Sequence, residues 1–453
     1  MFDFSDLRDK NIAILGFGRE GKSTLKFLID QKVSFRNITI LDTNKDLDSP
    51  EEVQKITGDE HLKDLDQYDI IFKSSGVPIT EQLIPHKEKI VTQVQIFFDT
   101  YPGKVIAVTA SKGKSTMTSL IYMLLKNAGY QVKLVGNIGT PVFDEIDICP
   151  PILPSGDPEF CPVPENDFIV IELSSYMLYE LRKNNFISIL GTIFPEHLDW
   201  HGSFENYVDA KLNILKGSEI NIVNQETLEK FNLKKTYTNL IPYDLGSAYA
   251  RMDGHFTIGD KMIFSTKERK IPGDHNLENI TAVIALADTL KISMDVVEDT
   301  VRNFNGLPHR LQELGESGGI RRIDDAISTT PESTIEAIKT YGEQINTIFL
   351  GGTDRGYNFD NLVKYIKEYK IANIVFFPES GERIYEAIKE LSIEGLEMYK
   401  TDDMKKAVKF AYKHTQQGMI CLLSTASPSY SVWKDFEEKG NLFQQYVKEL
   451  ATE

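Results

Sequence analysis

The sequence predicts an α/β protein of three consecutive units, and three observations predict it. An apolar, β-branched run is followed by a polar, glycine-bearing loop over residues 11–21, again over 104–116 and again over 347–356. Glycines, lysines and acids gather at the carboxyl ends of these runs, where open parallel sheets hold their ligands. At 453 residues the chain is too long for one core, so two to four domains are expected.

Composition narrows the function classes. Apolar residues at 41% and charged residues at 26% describe an ordinary soluble globular protein. No apolar run reaches the roughly 18 residues of a membrane span. Residues 1–6 lack the basic start and apolar core of a signal peptide. Cys149, Cys161 and Cys421 have neither metal-ligand spacing nor the look of a disulfide framework, which points to a reducing, cytoplasmic location. A net charge of −17 argues against nucleic acid or anionic lipid as the main partner. An anionic small molecule remains compatible, because a local nest of amides and lysines can overcome the global field.

In the first unit, strand 11–15 leads into Gly16-Phe17-Gly18-Arg19-Glu20-Gly21 and a helical pattern through Leu28. A second strand over 38–41 ends in Asp42. Together these form a Rossmann fingerprint, with Asp42 placed for a ribose hydroxyl. Alone it suggests a nicotinamide-dependent oxidoreductase; another nucleotide in the same crevice, or a purely structural glycine turn, also fits. A strand over 68–73 delivers the loop Ser74-Ser75-Gly76-Val77-Pro78, and the unit ends near Asp99.

The second unit opens with strand 104–108, Ser111-Lys112-Gly113-Lys114-Ser115-Thr116 and a helical pattern. Loop amides and the helix dipole favour an anion there, Lys114 can reach β/γ-phosphates, and a hydroxyl of Ser115 or Thr116 can hold Mg2+. The general pattern wants glycine where this chain has Val108, so a lysine-bearing surface turn is the alternative. A glycine-punctuated loop, 136–141, follows the next strand, and the proline-rich run 149–164 reads as a surface excursion. Strand 168–172 delivers Glu172, suited as a second Mg2+ partner or a simple strand-end acid. Strand 187–193 ends near Glu196, His197, Asp199 and His201, dense enough to suggest a metal-lining loop. Lys211, on a helix expected over 204–215, reads from physics alone as a solvated helical lysine.

The third unit opens at Leu307-Pro308-His309-Arg310. Strand 321–325 ends in acids, and Ser328-Thr329-Thr330-Pro331 marks a helix N-terminus open to an anion. Strands over 347–350 and 419–423 again end in small polar loops.

Taken in order, Gly113-Lys114-Ser115-Thr116, Gly136-Asn137-Ile138-Gly139, Glu172-Leu173-Ser174-Ser175, Glu196-His197-Leu198-Asp199 and Lys211-Leu212 resemble the Mur ligase family. The resemblance continues through His275-Asn276 with Asn279, Leu307-Pro308-His309-Arg310, Leu350-Gly351-Gly352 and Phe436-Glu437-Glu438-Lys439-Gly440-Asn441. It covers nearly the whole chain and is nearest to the branch that adds glutamate. It implies a Rossmann-like N-terminal domain over 1–99 holding a UDP-linked substrate and a P-loop ATPase-type central domain over 100–306. A Rossmann-like C-terminal domain over 307–453 would close to bring the amino acid. The implied enzyme is a monomeric, ATP- and Mg2+-dependent ligase. It adds glutamate to UDP-N-acetylmuramoyl-L-alanine through an acyl phosphate, in peptidoglycan precursor synthesis.

Residue by residue, the resemblance puts Phe17, Gly18, Arg19, Asp42 and Thr43 near uridine, with Ser75, Gly76, Asn137 and Ser174 completing the UDP-substrate site. It gives ATP the loop residues Ser111, Lys112, Gly113, Lys114, Ser115 and Thr116, together with Asn276, Asn279, Arg310 and Asp325. Catalysis falls to Lys114, Glu172, His197 and Lys211. Ser115, Glu172 and His197 would hold metal, as would Lys211 once carbamylated. Glutamate would meet Thr329, Arg355, Ser429 and Phe436. The chain departs from the pattern at Ala110, at Ile327 where the family has lysine, and at Arg355 where it has another lysine. Arginine offers a carboxylate a bidentate fork where lysine offers a point charge. These departures look more like the L-glutamate-adding than the D-glutamate-adding branch. Two alternatives stay open: another Mur or folylpolyglutamate-type ligase, and the oxidoreductase.

Overall fold

The computed structural model describes residues 2, 4–30, 32–145, 167–179, 181–182, 185–251, 253–389 and 395–452. The proline-rich run with Cys149 and Cys161 lies outside the described residues. Cys421 is a buried free thiol. The chain forms two compact units, residues 1–267 with 278–300, and residues 268–277 with 301–453.

The first unit contains two large parallel sheets. One has five strands in the order Gln54–Thr57, Asn37–Asp42, Asn11–Leu15, Ile70–Lys73, Ile90–Val91. Ile12, Ala13, Ile14 and Leu15 are all buried, as expected of a strand covered on both faces. The other has six strands in the order Leu240–Tyr243, Ser218–Asn224, Asn185–Leu190, Lys104–Thr109, Asp167–Glu172, Gln131–Gly136. Its central strand Lys104–Thr109 feeds the helix Lys114–Asn127, whose Leu120, Ile121, Leu124 and Leu125 are buried at helical spacing. An antiparallel sheet of three short strands, Ala250–Arg251, His255–Ile258 and Lys261–Ser265, is an addition the sequence reading did not foresee.

The second unit is built on one six-stranded sheet, in the order Gln312–Ser317, Ile320–Asp324, Ile420–Leu423, Ile345–Gly351, Asn373–Phe377, Glu397–Lys400. The first pairing is antiparallel and the rest are parallel. Pro331 starts the helix Pro331–Tyr341 behind a capping box in which Thr330 and Ser333 satisfy each other's backbone amides. The helix expected over 204–215 divides into Phe204–Leu212 and a 3-10 turn, Asn213–Leu215. The strand expected over 187–193 ends at Leu190, which releases the following residues to line the phosphate loop.

Candidate active site

The phosphate loop is shaped by its strand, its helix and the neighbouring loop that begins at Gly191. Gly113 sits at φ +83°, and a Cβ there would lie 2.3 Å from Oδ1 of Asn279, so only glycine fits. The Ser111 hydroxyl is buried, accepting from the Phe194 amide at 3.1 Å and lying 2.8 Å from the Tyr207 hydroxyl. It fastens the loop from behind. Lys114 Nζ donates to the carbonyls of Ala110 and Ser111, each at 3.0 Å, and Lys112 Nζ lies 2.7 Å from Glu196 Oε1. Ser115 and Thr116 lie in the first helical turn, where the dipole is strongest.

Beneath the loop lies Lys211, which is 1% exposed and not a solvated lysine as its helical position had suggested. Helix Phe204–Leu212 turns it inward. Its Nζ donates to Ala110 O at 2.8 Å and Thr109 Oγ1 at 3.2 Å, and it stands 5.0 Å from the centre of the Tyr207 ring. Burial, then the charge of Lys114, holds its pKa well below the ordinary lysine range, against the pull of Glu196 and Glu172.

Glu172 is fully buried at its strand end. Gly136, at φ +102°, lets the adjacent strand pass so closely that a Cβ would stand 2.4 Å from Glu172 O. Asn137 then gives its amide to Glu172 O at 3.0 Å and its side chain to Oε1 at 2.6 Å. The other oxygen, Oε2, is buried with no hydrogen-bond partner among the described residues.

The Glu196–His201 stretch does not converge as a metal cluster. Glu196 pairs with Lys112, while His201 Nε2 lies 3.0 Å from Ser175 Oγ and its ring stacks on Tyr176. Burial, followed by the charges of His197 and Lys211, pushes the His201 pKa down to about 4, and desolvation lowers that of His197. Among the described residues no three His, Cys, Asp or Glu side chains gather as a metal cage. Mg2+ needs no such cage, because it is held by one or two carboxylates together with phosphate oxygens and water. The orphaned Glu172 oxygen beside a phosphate loop fits that demand.

Arg19, Ser75, Gly76, Asn137 and Ser174 line one cleft of about 200 Å3, with Glu20, Gln93 and Tyr176. Arg19 donates to Asn137 O at 3.1 Å, and Trp200 Nε1 to Gly76 O at 3.3 Å. Phe17, Gly18, Asp42 and Thr43 do not line it. The Phe17 side chain belongs to the hydrophobic core, and its amide donates to Asp42 Oδ2 at 2.6 Å. Asp42 Oδ1 accepts from the Asn44 amide at 2.8 Å, so each of its carboxylate oxygens takes a backbone amide. Glu20, in the first turn of helix Arg19–Asp30, accepts the Ser75 amide at 2.8 Å. Burial raises its pKa. Asp42 thus already takes one amide of the glycine turn, that of Phe17, which weighs against the oxidoreductase reading.

In the second unit, Asp325 accepts from the Leu311 amide at 3.2 Å and the Ser424 hydroxyl at 2.8 Å. Burial pushes its pKa up to about 6, against Ser328, Ser424, Leu311 and Arg310. Asp324 Oδ2 lies 2.7 Å from His309 Nδ1 and accepts from Gln444 at 2.8 Å. Lys439, fully buried, donates to Thr425 Oγ1 at 2.5 Å, and burial brings its pKa to about 7. Lys439 stands in the run 436–441 that carries the family resemblance, and its burial is not visible in that run. Asn276 donates to Pro272 O at 2.6 Å. Phe436 packs edge-on against His309 at 6.2 Å, Ser429 Oγ is buried with no hydrogen-bond partner among the described residues, Thr329 is half-buried, and Arg355 is exposed.

Comparison with known proteins adds names to this geometry. The Mur ligase middle domain matches residues 108–287, and the Mur ligase glutamate ligase domain matches residues 309–426. The chain is 30% identical to a UDP-N-acetylmuramoylalanine--D-glutamate ligase of Streptococcus mutans, over 99% of both chains. It is also 30% identical, again over 99% of both, to a UDP-N-acetylmuramoyl-L-alanine--L-glutamate ligase of Salinispora tropica. Among solved structures, the UDP-N-acetylmuramate-alanine ligase MurC of Thermotoga maritima shares the fold with a TM-score of 0.61 at 17% identity, covering 98% of this chain and 99% of that one. A MurF ligase of the same organism, solved in complex with ADP, shares it with a TM-score of 0.55 at 17% identity, covering 99% and 98%.

Proposed function

The chain belongs to the Mur ligase family, and we propose that it adds glutamate to UDP-N-acetylmuramoyl-L-alanine, driven by ATP, in peptidoglycan precursor synthesis. The observation that carries this reading is the juxtaposition of Gly113-Lys114-Ser115 with an orphaned Glu172 oxygen and a buried Lys211. A carboxylate is a poor electrophile. Transfer of the γ-phosphoryl group to the alanyl carboxylate, with ADP leaving, makes it reactive. The glutamate amine then attacks the carbonyl carbon. The C–N bond forms, the C–O bond to phosphate breaks, and the amine proton is lost to solvent.

In this reading Lys114 leaves its carbonyl partners to neutralise charge developing on the transferred group. Ser115 and Glu172, with His197, would hold Mg2+, which when bound neutralises phosphate charge. Lys211 is assigned as the lysine that becomes carbamylated: only a neutral amine adds to carbon dioxide, and burial beside Lys114 favours that form. The cleft lined by Arg19, Ser75, Gly76, Asn137 and Ser174 is assigned to the UDP substrate. Asn276, Asn279, Arg310 and Asp325 are assigned to the nucleotide, and Thr329, Arg355, Ser429 and Phe436 to glutamate.

The test is phosphate release with ATP, Mg2+ and UDP-N-acetylmuramoyl-L-alanine, offering D- and L-glutamate separately. Turnover with one enantiomer is expected, and its identity says which branch Ile327 and Arg355 mark. No turnover with either would overturn the assignment of the acceptor or of the amino acid.

A further inference from the structure

Lys112 and Glu196 form an ion pair that the proposed reaction does not use. Lys112 immediately precedes Gly113-Lys114, and Glu196 immediately precedes His197, so the pair spans the two loops that would embrace the triphosphate. Its separation is 2.7 Å, with the lysine side chain 45% exposed and the glutamate 17% exposed. The loops need no such fastening, because Ser111 already ties them through Phe194 and Tyr207. The charge balance is uneven around this point. Lys112, Lys114 and Lys211 converge on one loop, with Ala110 O accepting from both Lys114 and Lys211. Glu196 also acts electrostatically on Lys211 and His197, favouring their charged forms.

We propose that Glu196 is a positioning residue that acts through Lys112, holding this second loop lysine aside until a triphosphate displaces it. The inference rests on the ATP site proposed above. A pair whose lysine is nearly half-exposed is weakened by solvent, so it yields to a ligand carrying several negative charges. The terminal phosphate takes over the Lys112 ammonium, and the Glu196 carboxylate is released toward His197. Lys112 thereby reads the third phosphate, and the exchange discriminates ATP from ADP.

The experiment measures equilibrium binding of the non-hydrolysable analogue AMPPNP and of ADP, both with Mg2+, to wild type, Glu196→Gln, Lys112→Met and the double variant. Glu196→Gln is expected to tighten AMPPNP about two- to fivefold, the size of a partly exposed ion pair, with little change for ADP. Lys112→Met is expected to weaken AMPPNP more than ADP. In the Lys112→Met background the Glu196→Gln gain should vanish. A gain that persists without Lys112 would mean simple repulsion of phosphate by Glu196 and would overturn the proposal, as would weaker AMPPNP binding by Glu196→Gln alone. Thermal melts of all four proteins separate binding losses from unfolding. Wild type that binds neither nucleotide would instead remove the ATP site itself.

Discussion

The chain carries two glycine turns, each between a parallel strand and a helix N-terminus, and their chemical surroundings are opposite. At Gly113 the nearby charged side chains are Lys112, Lys114 and Lys211, with Glu196 paired to Lys112, and the buried carboxylate of Glu172 keeps one oxygen without a hydrogen-bond partner among the described residues. At the turn 16–21 the nearby acids are engaged with backbone amides: Asp42 takes that of Phe17, and Glu20 takes that of Ser75. Both turns have the local form of an anion site. What distant segments place around them distinguishes the lysine-rich turn proposed for ATP from the acid-bearing turn beside the cleft assigned to the UDP substrate.

The largest expected effect tests the cationic turn. Lys114→Ala should lower ATP-dependent phosphate release about a hundredfold or more, as loss of a group acting on transition-state charge does, while the melting temperature stays close to wild type. Retained turnover would break the comparison at its strongest point. Next, Lys211→Ala should lose about ten- to a hundredfold in activity, the range for groups that order a metal site. A short-chain carboxylic acid should restore part of it if the native group is a carbamate. A fully active variant removes Lys211 from the site.

A smaller effect concerns His201, buried and stacked on Tyr176. The His201 pKa is depressed from 6.5 to about 4, so the unfolded chain takes up its proton first as the pH falls. The stability this histidine contributes is therefore present above about pH 6.5 and lost toward pH 4, amounting to about 2–3 kcal/mol. Chemical denaturation should show wild type losing stability relative to the non-titrating His201→Gln as the pH drops through that window; parallel curves would contradict the assignment. The smallest effect sharpens the acidic turn. Asp42→Asn weakens the bond from the Phe17 amide and should destabilise the protein by about 1 kcal/mol, read from urea unfolding. NADH fluorescence should show no binding by either form.

Much of this was legible in the linear chain, and what was not has a physical reason. The phosphate loop could be read because strand, turn and helix are contiguous, and Glu172 because a strand end fixes its place. The placing of Asp42 beside the first turn could be read from the fingerprint, but its bond to the Phe17 amide and that of Glu20 to Ser75 could not, since these groups meet only after the sheet Asn11–Leu15, Asn37–Asp42, Ile70–Lys73 has assembled. Lys211 misled because a helical lysine announces its burial only through what packs on it, here Tyr207 and the loop carbonyls. Lys439 is a similar case, buried beside Thr425 and Trp433. The strands between Ala250 and Ser265 are too short to show a period.

The most direct test of the two-turn account is calorimetric titration of AMPPNP and of UDP-N-acetylmuramoyl-L-alanine into wild type, Lys114→Ala and Arg19→Ala. The account predicts that Lys114→Ala loses AMPPNP and keeps the UDP substrate, and that Arg19→Ala does the reverse. Loss of AMPPNP from Arg19→Ala with normal binding by Lys114→Ala would contradict it, placing the nucleotide at the acidic turn.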